Sequence, residues 1–486
     1  LETPLHVHRF ATVWRRLRWV PALLAATALL LAPAVWNGFP FMFYDTGSFI
    51  AQAVGGGFVA ERSVFYAWFL AATGVRLSLW PAMLAQAATT AFVIALVMQR
   101  VVAGWPSAGL VHGRYLLVVA ALIVATGLPW YAAQALPDIF APLLVLCLYL
   151  LGFHAHSLSR ALQAVLFAIA VFGAVSHTAH LGLAAGLAAI VAVLQAITRD
   201  EITRDGVAAA RPEAARPNWR WPAAVFAAAL LTIVTSNFVR TGEVFVSRAG
   251  PAFLLGRLVQ DGIVKRLLDD TCPASGYRMC EFKDKLPTSA DDYLWGNASP
   301  FLSLGGFEGS AAEAGRIIAE SLRRYPWAHV AAAVDNTVQQ FTSFATGDGI
   351  EPQHSVLLPI LSKVTPQHLV AYGAARQQNG LLTFGWLNVV HIPAGYLSLA
   401  ALGIMLAAAL WMRRRDDMLY LPAFILAALL GNAFICGVLS NPHDRYQSRL
   451  MWIASLAAIL LAIGWLRLVR MQFLQLRKVR AGASAG

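Results

Sequence analysis

Few polar side chains in this chain are spaced so that they could do chemistry, and those few sit beside long apolar runs. The densest set is Asn441-Pro442-His443-Asp444-Arg445-Tyr446-Gln447-Ser448-Arg449. Arg445 and Arg449 stand one helical turn apart, so a helix places both guanidinium groups on one face. Each is a planar fork that matches phosphate oxygens. The second set is Phe39-Pro40-Phe41-Met42-Phe43-Tyr44-Asp45-Thr46-Gly47-Ser48-Phe49-Ile50, which holds one carboxylate among aromatic rings. Asp45 there can take the proton of an incoming hydroxyl. It can equally cap a helix beginning near Gly47, and its two oxygens allow both roles. Tyr44 beside it is a candidate substrate contact.

Other candidates are weaker as motifs. Asp138, in Leu136-Pro137-Asp138-Ile139-Phe140, reads first as capping at a helix start and second as a carboxylate that positions an acceptor or helps hold a divalent cation. No Asp-x-Asp or paired-His spacing fixes a metal site, so Mg or Mn stays open. His177 and His180 share a helix face, lack a third ligand for zinc, and suit hydrogen bonding to a phosphate or sugar, or a place at a membrane interface. His443 and Asp444 belong with the arginines as substrate contacts. Arg240, Arg248 and Arg257 rank lower. Cys272 and Cys280 frame a short polar stretch and predict a disulfide, hence an oxidising compartment. Cys147 and Cys436 fall in apolar runs and read as packing residues.

The elements that must position these groups are membrane helices. The chain has 486 residues, is 58% hydrophobic and 13% charged, about half the charged fraction of an average soluble domain. Several apolar runs reach the roughly 20 residues that cross a bilayer. This predicts an all-α polytopic membrane protein of about ten transmembrane helices. The net charge of +12 sits mostly in Arg-rich segments at span ends, where topology accounts for it, so a nucleic-acid partner is excluded.

The expected spans are about 19–36, 79–98, 115–130, 137–153, 161–176, 181–198, 221–238, 382–411, 418–439 and 450–469. Ser63 to Leu77 is too short to cross and reads as a surface helix. With one span in the interval 63–100, the basic clusters at Arg100, Arg114, Arg160, Arg199–Arg220, Arg413–Arg415 and the C-terminal tail share the cytoplasmic side. Two spans there would invert everything downstream. Arg15, Arg16 and Arg18 precede an uncleaved first anchor, and 199–220 reads as a flexible linker. Three parts follow: 1–238, an N-terminal membrane part; 239–380, a mostly helical periplasmic segment inserted before the last three spans; and 381–486, a C-terminal membrane part with a basic cytoplasmic tail. Helices are expected over 309–324 and 328–344. Asp45, Asp138, His177, His180 and the 441–449 run then all face the exterior.

An acidic residue in the first outer loop (Asp45), a surface helix after it, ten or so spans and a large late outer segment resemble the GT-C glycosyltransferases. The resemblance implies a fold in which the first-loop carboxylate is general base or acceptor-binding group. It further implies that basic residues at the outer face, here Arg445 and Arg449, grip the phosphate of a polyprenyl-phosphate-linked sugar donor. This chain has a lone Asp45 where many members have Asp-Glu or Asp-Asp, and it lacks a Trp-Trp-Asp signature. The expected function is therefore sugar transfer, with inversion, to a glycan, lipid or protein acceptor at the periplasmic face of a bacterial inner membrane. The alternatives are a lipid or solute transporter, which should gather polar groups near the bilayer midplane, and a ligase for lipid-linked glycans.

Overall fold

The computed structural model describes residues 19–57, 59, 61–102, 108–205 and 215–483. Arg15, Arg16 and Arg18, the linker stretch 206–214, and the side chains of Arg199, Arg477, Lys478 and Arg480 lie outside the described residues. The described chain is all-helical, without strands. Eight helices are long and apolar enough to cross a membrane: Val20–Asn37, Trp80–Val101, Pro137–Ser157, Thr178–Thr198, Arg220–Thr241, Gly385–Trp411, Asp417–Leu439 and Asp444–Arg467. The two other expected spans are shorter apolar helices, His112–Ala125 and Arg160–Ser176.

One helix organises the bundle. Phe140–His154, entered through a 3-10 turn at Pro137–Ile139, is buried at every residue. It is packed by Trp80–Val101, Arg160–Ser176, Thr178–Asp205, Arg220–Thr241, Asp417–Leu439 and Asp444–Ala483. A helix apolar on all sides is stable only inside other protein or lipid; here protein encloses it. Polar groups at its ends must therefore meet protein partners or a cavity. The peripheral helices behave oppositely: Leu231, Leu397 and Trp411 point outward, the pattern of helices that meet lipid tails.

Two short helices follow the first long one. Val20–Asn37 ends at Gly38, whose left-handed φ of 88° is open to glycine without the Cβ penalty, and this turns the chain sharply into residues 39–43. Tyr44–Gly55 comes next, then Val64–Ala72 with Ser63 accepting from Phe65 N–H at its N-terminus. The second is the short helix expected after Ser63, trimmed at its C-terminus, and its nine residues are too few to cross a membrane. The first begins earlier than Gly47, at Tyr44. Helix Thr178–Asp205 runs on past 198, so the start of the expected linker is helical.

The interval 239–380 divides between two cores. Residues 250–325 form their own, built by amphipathic helices such as Ile263–Thr271 and Ala311–Arg324, with Val264, Leu267, Leu268, Ala314 and Ile317 inward. A disulfide joins Cys272 to Cys280. Pro326–Thr342 lies along Asp417–Leu439. Residues 344–375 instead send Phe344, Ile350, Leu357, Leu361 and Tyr372 into the main core, with His354–Val364 packed on the Asp45 helix.

Candidate functional site

The loop carrying Asp45 is pinned from two directions. Phe41 N–H donates to the Ala133 carbonyl (3.1 Å), and Ala135 N–H donates to the Phe41 carbonyl (2.8 Å). Thr46 Oγ1 accepts from Phe43 N–H (3.0 Å) and donates to the Ala135 carbonyl (3.1 Å). From the other side, the Gln377 amide accepts from Met42 N–H (3.0 Å) and donates to the Met42 carbonyl (2.6 Å). Asp45 thus stands in the first turn of a fixed helix, where the helix dipole favours an anion. Phe43, not Asp45, occupies the N-cap. The Asp45 carboxylate forms an ion pair with Arg62, which comes from the loop before the next short helix.

Arg445 approaches the same loop. Its guanidinium lies 3.9 Å above the Phe43 ring and 4.9 Å from the Tyr446 ring. The Phe43 ring in turn lies against Gly349, where a Cβ would fall 2.0 Å from it; only glycine allows that approach. Arg445 also reaches Asp138 Oδ2 at 3.5 Å, while Arg449 donates to Asp138 Oδ1 at 2.5 Å. Arg449 is fully buried and Arg445 nearly so. Arg449 further donates to Asn432 Oδ1 (3.3 Å), and Asn432 Nδ2 donates to the Tyr446 carbonyl and to Gln447, each at 2.8 Å. Asn432 therefore anchors the start of the last helix.

Asp138 is an ion-pair partner in this arrangement, not merely a residue at a helix start. Two buried guanidinium groups flank one buried carboxylate. Removing one member of such a group leaves an uncompensated charge, at about 3–5 kcal/mol. Two guanidinium groups share this one carboxylate, and the Asp348 carboxylate accepts from the Arg445 backbone N–H nearby.

His177 and His180 lie beside this cluster, with ring centroids 5.1 Å apart. His180 Nδ1 contacts the Gly173 carbonyl at 2.8 Å. A carbonyl only accepts, so Nδ1 carries the proton and Nε2 of the neutral ring is a lone-pair acceptor. His177 Nδ1 accepts from Ala179 N–H (3.2 Å). Burial, followed by the neighbouring His180 and Arg449, holds the His177 imidazole well below its ordinary range.

Three further candidates lie around this centre. His443 Nε2 meets Asp291 Oδ2 at 3.1 Å, and its backbone exchanges hydrogen bonds with the Gln340 amide at 2.9 and 2.8 Å. The hydrogen bond to Asp291 pushes the His443 pKa up, and the same bond lowers Asp291. Asp444 Oδ1 accepts from Ala345 N–H (2.8 Å). These two residues tether the 250–345 stretch to the last helix. Tyr44 is half-exposed, and its hydroxyl is pushed up by burial and then by Glu351. It lies on the Glu351 side of the loop. Of the lower-ranked arginines, Arg257 is buried against Asp261 (2.7 Å) and donates to Asn441 (2.9 Å).

Sequence reasoning missed Arg62, Phe43 and Asp348, whose Oδ2 accepts Arg445 N–H at 3.0 Å. Arg62 stands singly in a short polar loop, and nothing in its spacing points to Asp45. Among the described residues, no three His, Cys, Asp or Glu side chains converge as metal ligands. A small pocket opens beside Arg62, between the 61–65 loop, the turn at Val175 and Thr178, and the Ile233–Ser247 segment. Compared with protein-family models, with curated proteins and with solved structures, the chain matches none.

Proposed function

We propose that the protein is a membrane glycosyltransferase that moves a sugar from a polyprenyl-phosphate carrier to an acceptor hydroxyl. The observation that carries this reading is the approach of Arg445, from the last helix, to the ring of Phe43, two residues before Asp45, at one end of the bundle. Asp45 takes the acceptor proton as the acceptor oxygen attacks the anomeric carbon. The bond from that carbon to the phosphate oxygen breaks on the opposite face, and the carrier phosphate leaves with the electron pair. One displacement inverts the anomeric centre.

Negative charge grows on the departing phosphate, and preorganised cations stabilise it more in the transition state than in the ground state. Arg445 and Arg449, already fixed by Asp138, supply that field without having to reorganise. His177 and His180, beside the cluster, orient the sugar. In this reading ten helices cross the membrane and both termini are cytoplasmic. The Asp45 end opens to the periplasm of a bacterial inner membrane, where the 239–380 segment covers the acceptor. Asn432, the deepest polar group of its helix, is occupied in holding the last helix, which gives a transport pathway no support there.

The test uses purified full-length protein in lipid nanodiscs with a panel of polyprenyl-phosphate sugars and, in parallel, nucleotide sugars. The expected result is turnover with a polyprenyl-phosphate donor only, and a product of inverted anomeric configuration by NMR. Flux of an intact lipid-linked sugar across vesicles without any bond cleavage would contradict it.

A further inference from the structure

We infer that the pocket beside Arg62 binds the phosphate head of an anionic lipid, and that this binding draws Arg62 away from Asp45. The observations are four. First, Arg449 and Arg445 are buried and engaged with Asp138, so neither can turn its whole fork to a ligand without stranding that carboxylate. Second, Arg62 is the guanidinium that both lines the pocket and pairs with Asp45. Its Nε–H is buried and makes no hydrogen bond within the protein, so part of the donor fork is unmet. Third, the pocket wall is mixed. Glu61, Ser63, Asn237, Arg240 and Ser247 are polar, with Ser63, Asn237 and Arg240 donating to the Val175, Phe245 and Gly57 carbonyls, while Val64, Phe65, Ile233 and Phe245 are apolar. A polar head continuous with a hydrocarbon chain fits that lining better than a free ion does.

Fourth, the Arg62 side chain is only partly enclosed, at 13% exposure, on a loop next to a short helix. It is held by its bond to the Glu61 carbonyl (3.2 Å) and by Asp45. A phosphate offers more acceptor oxygens than one carboxylate and makes a stronger, charge-assisted pair with Arg. The anion and Asp45 therefore compete for one guanidinium. With the pocket empty, the Asp45 carboxylate is engaged by Arg62 and is not open to the acceptor hydroxyl. With phosphate bound, Asp45 is released for the acceptor hydroxyl. The device enforces order, donor before acceptor, and keeps the carboxylate masked until a leaving group is present. Naming the lipid as the sugar carrier rests on the glycosyltransferase reading; the anion site itself does not.

The competition gives a signature that a merely structural Arg62–Asp45 bridge lacks. Binding of a long-chain polyprenyl monophosphate to full-length protein in nanodiscs is compared with neutral polyprenol and with inorganic phosphate. Wild type should bind the lipid phosphate and discriminate against polyprenol. Arg62→Ala should lose about tenfold or more, and Arg62→Lys, which keeps charge without the fork, should lose less. Asp45→Asn removes the competitor and should bind the lipid phosphate several-fold more tightly. Weaker or equal binding in Asp45→Asn, or wild-type binding in Arg62→Ala, overturns the inference. Inorganic phosphate binding as tightly as the lipid would overturn the lipid assignment. Failure of the two readings separates cleanly. Arg62-dependent binding without sugar transfer sinks the transferase, whereas transfer with unchanged donor KM in Arg62→Ala sinks the Arg62 pocket.

Discussion

The two ends of the buried helix Phe140–His154 make a useful contrast. Each end holds a carboxylate that ties several helices together, Asp138 at one and Asp417 at the other. At the Asp417 end, the carboxylate receives the Tyr149 hydroxyl and meets His154 Nε2 at 2.8 Å, and neighbouring Asp416 pairs with Arg414. The Asp138 end holds two buried guanidinium groups for one carboxylate. It also leaves more polar atoms unmet: Arg449 Nε, His180 Nε2 and both amide atoms of Gln134 make no hydrogen bond within the protein, against His154 Nδ1 at the other end. Natural interiors satisfy nearly all such atoms, and exceptions call for a reason. The contrast teaches that a polar knot at a helix end is not in itself a site. Two buried guanidinium groups on one carboxylate, unmet polar atoms and an adjoining pocket together set the Asp138 end apart from the Asp417 end.

The largest effect expected from breaking this contrast falls on Asp138. Asp138→Asn leaves Arg445 and Arg449 buried without their anion and should cost about 3–5 kcal/mol, read as a large drop in thermal unfolding temperature in detergent. Adding Arg449→Met should recover part of the loss, because one stranded charge is then gone. A loss near zero for Asp138→Asn would mean that the end is hydrated and that the ion pairs contribute little.

Asp417→Asn should cost less, about 1–3 kcal/mol, since it weakens hydrogen bonds to Tyr149 and His154 without stranding an arginine in the core. If the Asp417 end is only a clamp, kcat and donor KM of the folded variant should match wild type. A loss of turnover larger than the loss of folded protein would move chemistry to that end and erase the contrast.

The smallest effect is a pH dependence at the tether. The folded pKa of His443 is raised by Asp291, so its stabilisation is full below the unfolded histidine pKa and fades as pH rises through the folded one. The folded pKa of Asp291 is lowered, so its share is present above the unfolded carboxylate pKa and fades as pH falls through the folded one. The tether is therefore complete only between those limits. Both side chains are more than a third exposed, and solvent screening holds the effect below about 1 kcal/mol. Unfolding followed from acid to alkaline pH should show a shallow alkaline decline that His443→Ala removes.

Much of the fold was legible because hydrophobic run length is a local signal. The eight long apolar helices all fall on expected spans, and the short helix after Ser63 was readable from a run too short to cross. Asp45 and the Arg445–Arg449 pair stood out for a related reason: charges beside apolar runs are conspicuous. What could not be read were pairings across the chain. Pro137-Asp138 has the form of an ordinary helix start, and only the fold brings Arg449 to it. Arg62 is one charge in a loop that binds by proximity, with no spacing to betray it. The helix Tyr44–Gly55 was expected to start near Gly47 because Asp45 reads as a cap, yet it starts at Tyr44, where Thr46 closes the first turn by accepting from Phe43 N–H. The division of 239–380 between two cores was equally invisible, since either core accepts the same apolar residues.

The central claim is that Asp45 is the base of a transfer whose donor is held by cations at the same end of the bundle. It is tested most directly by measuring sugar transfer and donor binding side by side for wild type and Asp45→Asn with one polyprenyl-phosphate sugar. The account predicts transfer by wild type, a loss of at least about a hundredfold in Asp45→Asn, and donor binding by the variant no weaker than wild type. Equal turnover in the two proteins would contradict it.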